Sequence, residues 1–311
     1  MQPLVHGVCA ALLTPRCSDG SLNYELLRAE AEFLMAAGID GLVMNGATAE
    51  YPLARESEFE KVLEVVSEVA GAQKFLASVG GTDVSGSIRN GRMAMEAGAK
   101  ALLLPAPLFF RYQQADVEAY ARYVADELKA PMLLYNLPQF ANGYETATAE
   151  RLIDPNGPIV GIKDSSGSLD ILRMLTKRGA EGVSRIVGND SAFAQARREG
   201  VCDGVVSGVA GALPELLLLL GRTDLETGAE TFDAAAGLLR ELIEQLDAFP
   251  TPWALKFIAE RRGLTPMGSF LPITDARRAQ GDMLAGWLEG WWERLNAVSP
   301  VGPLEVAGCV A

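Results

Sequence analysis

Pro158-Ile159-Val160-Gly161-Ile162-Lys163-Asp164-Ser165-Ser166-Gly167 is an apolar run that ends in a lysine and opens into a small polar loop. The run reads as a buried strand, and Ser-Ser-Gly as the turn leaving it. Burial penalises an ammonium ion and favours the neutral amine, the form a Schiff-base nucleophile needs. The competing reading is a lysine that snorkels to solvent from the strand end. The chain on either side separates the two.

Working outward, apolar runs alternate with helical patterns. Strands are expected over residues 5–13, 39–44, 75–79, 101–104, 132–135, 158–163, 186–188 and 204–207. Helices are expected over 23–37, 54–70, 84–96, 115–128, 146–153, 169–176 and 191–198, with Pro214 opening an apolar eighth. Asn23 suits an N-cap and Gly38 the C′ position of the first helix. Eight strand–helix units match a (β/α)8 TIM barrel, an α/β fold. The alternative is a doubly wound sheet, but no glycine-rich dinucleotide fingerprint follows the first strand. We therefore expect a barrel over residues 1–223 and a C-terminal helical segment over 224–311. Trp253, Trp287, Trp291 and Trp292 all fall in that segment, which is assigned a structural role.

The chain has 311 residues, is 49% hydrophobic and carries a formal net charge of −13. No basic cluster offers a nucleic-acid footprint. No apolar run is long enough for a membrane span, Leu216 to Leu220 being far too short. No signal-peptide pattern is expected at the N-terminus. Cys9, Cys17, Cys202 and Cys309 lack metal-ligand spacing and read as reduced thiols of a cytoplasmic protein. His6 is the single histidine, so no metal site is expected, and imine chemistry at a lysine supplies its own electron sink, so no cofactor is expected either.

A barrel puts chemistry at the C-terminal ends of its strands. Lys74, Lys100 and Lys129 precede strands, on the opposite face. Lys61, Lys177 and Lys256 read as helical and exposed. Only Lys163 ends a strand. Tyr135 ends the fifth strand, and Thr48 lies in the loop after the second. Gly188 and Asp190 follow the seventh strand, and Val206 and Ser207 close the eighth. Taken singly, Tyr135 is a rim aromatic and Thr48 an ordinary loop hydroxyl. Together they put an amine, a phenol and several hydroxyls on one mouth.

At these residues the chain resembles the dihydrodipicolinate synthase / N-acetylneuraminate lyase family of class I aldolases. Gly7 to Pro15 is similar to the family's opening strand. Gly46-Ala47-Thr48-Ala49-Glu50 resembles its Gly-Thr-Thr-Gly-Glu loop, and Tyr135-Asn136-Leu137-Pro138 its tyrosine motif. Gly161 to Gly167 resembles its lysine motif, and Leu271-Pro272-Ile273-Thr274 is a weaker C-terminal match. The resemblance implies that Lys163 forms an imine with pyruvate or another 2-oxo acid, and that Tyr135 shuttles the proton. It implies that the Ala47 and Thr48 N–H groups, with the Thr48 hydroxyl, hold the carboxylate. Ser165 stands where sugar-acid aldolases have a hydroxyl for the substrate chain. A homodimer or homotetramer is implied as well.

Three departures from the family bear on function. Ala47 replaces a hydroxyl of the family's proton relay. Phe109 stands where the family has a tyrosine donated across a subunit interface, with Tyr112 nearby. Phe140 stands where the synthases place an arginine for the aldehyde substrate's carboxylate. The resulting expectation is a Schiff-base lyase acting on a 2-keto-3-deoxy sugar acid or a related 2-oxo acid. A dehydratase on the same scaffold is the alternative. Dihydrodipicolinate synthesis and a non-catalytic 2-oxo acid sensor rank below these.

Overall fold

The computed structural model describes residues 2–81, 83–179 and 181–299. Its strands and helices run in the order β1 (Gly7–Ala11), α1 (Tyr24–Ala36), β2 (Gly41–Met44), α2 (Glu56–Ala70), β3 (Phe75–Ser78), α3 (Val84–Glu96), β4 (Ala101–Pro105) and α4 (Gln114–Leu128). Then come β5 (Met132–Asn136), α5 (Thr146–Leu152), β6 (Ile159–Asp164), α6 (Asp170–Lys177), β7 (Ser184–Val187), α7 (Asp190–Glu199), β8 (Gly204–Ser207) and α8 (Pro214–Arg222). Three further helices follow, α9 (Ala229–Leu246), α10 (Trp253–Arg261) and α11 (Asp275–Val298). The eight strands are parallel and close into a barrel in sequence order, β8 pairing back onto β1. The fold is a (β/α)8 barrel with additional C-terminal helices, as the alternation of apolar runs and helical patterns leads one to expect.

Strand side chains alternate between two cores. Cys9, Val43, Leu76, Leu103, Leu133, Ile186 and Val206 fill the barrel interior. Val8, Leu42, Leu102, Leu134, Ile162 and Val205 face outward into the layer beneath the helices. Asn23 caps α1 as its sequence suggests, its side chain accepting from the Leu26 N–H at 3.0 Å. Most strands keep the expected bounds to within one or two residues, and the first and seventh depart in ways that bear on the site. β1 is shorter than residues 5–13, because Val5 N–H donates to the Ser184 hydroxyl rather than to a strand carbonyl and Thr14 turns at φ 52°. β7 starts earlier and ends at Val187, which leaves Gly188 beyond it.

The C-terminal helices pack on the barrel's own helices. α9 lies against α7, α8 and α11. Trp291 is fully buried and donates its indole N–H to the Leu238 carbonyl at 3.0 Å, a packing role with a satisfied polar end. Among the described residues Cys9, Cys17 and Cys202 are free thiols; Cys309 lies outside them. No described helix is long and apolar enough to cross a membrane.

Candidate active site

The tips of β5 and β6 carry Tyr135 and Lys163, the two residues expected to do the chemistry. Tyr135 pairs in register with Lys163, and Asn136 with Asp164. This pairing depends on a register shift. Met132 faces Ile159, whereas Leu133 faces Gly161. Val160 is thus an extra residue in β6, and it moves the lysine level with the tyrosine. Bulges of this kind re-aim side chains beside active sites. Gly161 is needed next to the shift, since a Cβ there would sit 2.2 Å from the Ser184 carbonyl oxygen of β7.

Lys163 is buried, with 3% of its surface exposed, and its Nζ lies 3.9 Å from the centroid of the buried Tyr135 ring. A cation on that nitrogen, ammonium or protonated imine, sits over the negative face of the ring. A polar network on the outer side of the same strands fixes both tips. Asp164 Oδ1 accepts from the Asn136 amide at 3.0 Å and from the Ser166 N–H at 2.9 Å. Asn136 Oδ1 in turn accepts from the Tyr144 N–H. Burial pushes the Asp164 carboxyl above its ordinary range, and these bonds pull it back in part.

Lys163 and Tyr135 open into a cavity of about 360 Å³, the size of a small-ligand site. Of the expected binding residues, Ala47, Thr48, Ser165, Gly188, Asp190 and Val206 line it. Ser207 does not. It faces outward from β8, where its hydroxyl accepts from the Ala210 N–H at 2.9 Å. Sequence position placed it at the mouth, but strand alternation turns it away and gives the inward place to Val206. Thr48 also differs from expectation. Its hydroxyl donates to the Leu12 carbonyl at 3.0 Å, so that proton is not available to a carboxylate. The backbone N–H groups of Ala47 and Thr48 open the 3-10 turn Ala47–Ala49 and precede any intrahelical acceptor.

Gly188 makes room for its neighbours. A Cβ there would lie 2.1 Å from Ser165 Oγ and 2.9 Å from Lys163 Cε. Ser165 Oγ and Asp190 Oδ1 are buried beside the lysine without a hydrogen-bond partner. Burial raises the Asp190 carboxyl above its usual range, against the lowering pull of the Ser207 hydroxyl, the Val209 N–H and the Lys163 charge.

Other features of the site were not legible in sequence. Lys256, read as exposed, is buried with 3% exposure and forms a 2.7 Å ion pair with Glu50. Its ammonium also donates to the Gly268 carbonyl at 3.0 Å. Burial lowers the Lys256 pKa and Glu50 offsets part of that. The pair ties α10 to the loop that carries Ala47 and Thr48. The end of α9 and the link to α10 also line the cavity, through Leu246, Asp247, Phe249 and Pro250, so the C-terminal segment does more than pack. Tyr51 is a buried phenol near Tyr135, and its hydroxyl finds no partner among the described residues. Phe109, at φ 69° and 92% exposed, lies on a second cavity with Tyr112 and Phe140. No group of His, Cys, Asp and Glu that would hold a metal occurs among the described residues.

The sequence model of the dihydrodipicolinate synthetase family matches residues 4–288. A 4-hydroxy-tetrahydrodipicolinate synthase of Aromatoleum aromaticum is 31% identical over 278 residues, 87% of this chain and 93% of that protein. The crystal structure of dihydrodipicolinate synthase from Aquifex aeolicus superposes with a TM-score of 0.83 at 26% identity, covering 92% of this chain and 98% of that one. A wild-type sialic acid aldolase of Ruminococcus gnavus shares the fold at a TM-score of 0.82 and 19% identity, over 94% and 99% of the two chains.

Proposed function

The chain belongs to the dihydrodipicolinate synthetase family, and from that premise we propose that it is a Schiff-base lyase cleaving a 4-hydroxy-2-oxo acid to pyruvate and an aldehyde. The observation that carries the reading is the Lys163–Tyr135 pair, amine against phenol ring at 3.9 Å, at the inner end of the cavity.

The Lys163 amine attacks the C2 carbonyl, and water leaves as the imine forms. Tyr135, having given its phenol proton to the leaving water, takes the 4-hydroxyl proton. The C3–C4 bond breaks, its electron pair passing to C3 and into the protonated imine, and the C4 fragment departs as an aldehyde. The resulting enamine takes a proton at C3. Water then hydrolyses the imine and releases pyruvate. The Ala47 and Thr48 N–H groups receive the C1 carboxylate, and the Thr48 hydroxyl holds their loop to β1 through Leu12. Ser165 and Asp190 face the hydroxyl-bearing carbon. No resident cofactor is required.

The curated relatives are named for a synthase reaction. A partner aldehyde with a second carboxylate calls for a cation. Lys163 is the one cation among the described lining residues, and Phe140 stands toward the rim. The reading therefore assigns this chain a different aldehyde. The exposed Phe109, Phe110, Tyr112 and Phe140 support association between copies of the chain as a dimer or tetramer. The test of the reading is pyruvate release from 4-hydroxy-2-oxo acids. We expect turnover in the wild type, none in Lys163→Ala, and a native circular-dichroism spectrum for both. Undiminished release by Lys163→Ala would refute the reading.

A further inference from the structure

The cavity is graded from inside to outside. Around Lys163 it is polar, and two atoms there await a partner, Ser165 Oγ and Asp190 Oδ1. Several other polar groups of the lining are engaged elsewhere. Gln139 donates to the Ser165 and Ser166 carbonyls at 3.0 and 3.2 Å. Asn189 Oδ1 accepts from the N–H and the hydroxyl of Ser191. Asp190 Oδ2 accepts from the Val209 N–H.

Further out the lining changes character. Leu255 begins the apolar part, within reach of Gly208 beside Thr48. Ile243, Leu246, Phe249 and Phe140 continue it, none of them fully buried by the protein's own atoms. Phe249 is braced, edge-on to Phe257 at 5.9 Å and under the Arg277 guanidinium at 5.4 Å. Arg277 is spent on the Ala248 carbonyl and Gln280, and it is not part of the lining. The charged group on the rim is Asp247, an acid, and it is exposed.

We infer that the substrate carries one hydroxyl next to the bond that breaks and an apolar, preferably aromatic, group beyond it. Its aldehyde half is then an uncharged hydrophobic aldehyde rather than a polyol or an acid. Two unpartnered polar atoms are enough for a single 4-hydroxyl. A polyol chain would lose its water against Leu246, Phe249 and Leu255 without regaining hydrogen bonds there. A second carboxylate would meet Asp247 and no cation. A phenyl ring would cover the part-exposed side chains and pack against the side of Phe249 that lines the cavity.

This inference rests on the Schiff-base reading, and the experiment separates the two. Three 4-hydroxy-2-oxo acids are compared by kcat/KM for pyruvate release: one with a phenyl group at C4, one with a trihydroxypropyl chain and one with a carboxylate. Trapping of pyruvate on Lys163 by borohydride is measured beside them. The expected order is phenyl first, by at least about tenfold, and carboxylate last. Phe249→Asn should shrink the phenyl-to-polyol ratio about tenfold. Asp247→Lys, at an exposed position, should raise the carboxylate substrate relative to the phenyl one. Trapping with equal or polyol-favouring turnover would overturn the inference and leave the Schiff base standing. An absence of trapping would overturn both.

Discussion

The floor of the cavity and its outer wall are built in different ways. The floor comes from strand ends β5, β6 and β8, whose register and polar contacts leave each side chain one place to be. Tyr135 and Lys163 are level because Val160 is inserted in β6, and Asp164 bonds both Asn136 and the Ser166 N–H behind them. The wall comes from the end of α9, the link after it and α10. Apart from Asp247 and Thr251 its side chains are apolar, several of them partly open, and they are held by packing rather than by hydrogen bonds. A floor of this kind sets which bond is broken. A wall of this kind sets which fragment leaves. Substitutions in the floor should therefore damage every substrate alike, and substitutions in the wall should change their ranking.

Tyr135→Phe tests the floor. Loss of the phenol removes the acid/base term, so cleavage should fall roughly 10²–10⁴-fold for every 4-hydroxy-2-oxo acid. Imine formation depends on the amine more than on the phenol, so borohydride trapping of pyruvate should survive. Single-turnover cleavage beside trapping yield makes the measurement. Equal, small losses in both would reduce Tyr135 to a rim aromatic.

Lys256→Met tests the joint between floor and wall. It leaves Glu50 buried without its partner at the end of the Ala47–Ala49 turn. Stability should fall by about 3–5 kcal/mol. Pyruvate binding should weaken as the loop loosens. The double variant Lys256→Met with Glu50→Leu should recover most of the stability. Urea unfolding measures the first effect and trapping against pyruvate concentration the second. A single variant as stable as the wild type would show that the pair does not hold the loop.

Glu30, on α1, reaches the stretch that follows β1. Its carboxylate accepts from the Leu13 N–H at 2.6 Å, and burial pushes its pKa from the ordinary 4.5 up to about 7. Between those values the native protein keeps a proton that the unfolded chain has lost. Stability therefore falls as pH rises from about 4.5 to about 7 and stays lower above. Glu30→Gln keeps an oxygen for Leu13 and removes the titration. The variant should lack this loss, which amounts to ~3 kcal/mol. Urea midpoints at pH 5 and pH 8 test it. An identical pH response in both proteins would contradict a buried, titrating Glu30.

What the sequence made legible follows the same division. Strand ends obey local rules. An apolar run stopping at Lys163, a second stopping at Tyr135 and a helix beginning at Asn23 are each visible within a few residues. The barrel follows from repeating such units. Contacts between distant segments are not visible in that way. Lys256 looks like any exposed helical lysine until α10 is laid on the loop holding Glu50, 206 residues earlier in the chain. The segment after residue 224 shows its tryptophans and hides that Leu246 and Phe249 face the cavity. Of the adjacent pair Val206 and Ser207, both expected at the mouth, alternation along β8 gives the inward face to Val206 alone.

The central claim is that Lys163 forms an imine with the substrate. The direct measurement is mass spectrometry of peptides from protein treated with pyruvate and borohydride. The account predicts one reduced pyruvyl adduct, on the peptide containing Lys163, absent in Lys163→Ala. An adduct on another lysine, or none while pyruvate is being released from a 4-hydroxy-2-oxo acid, would contradict it.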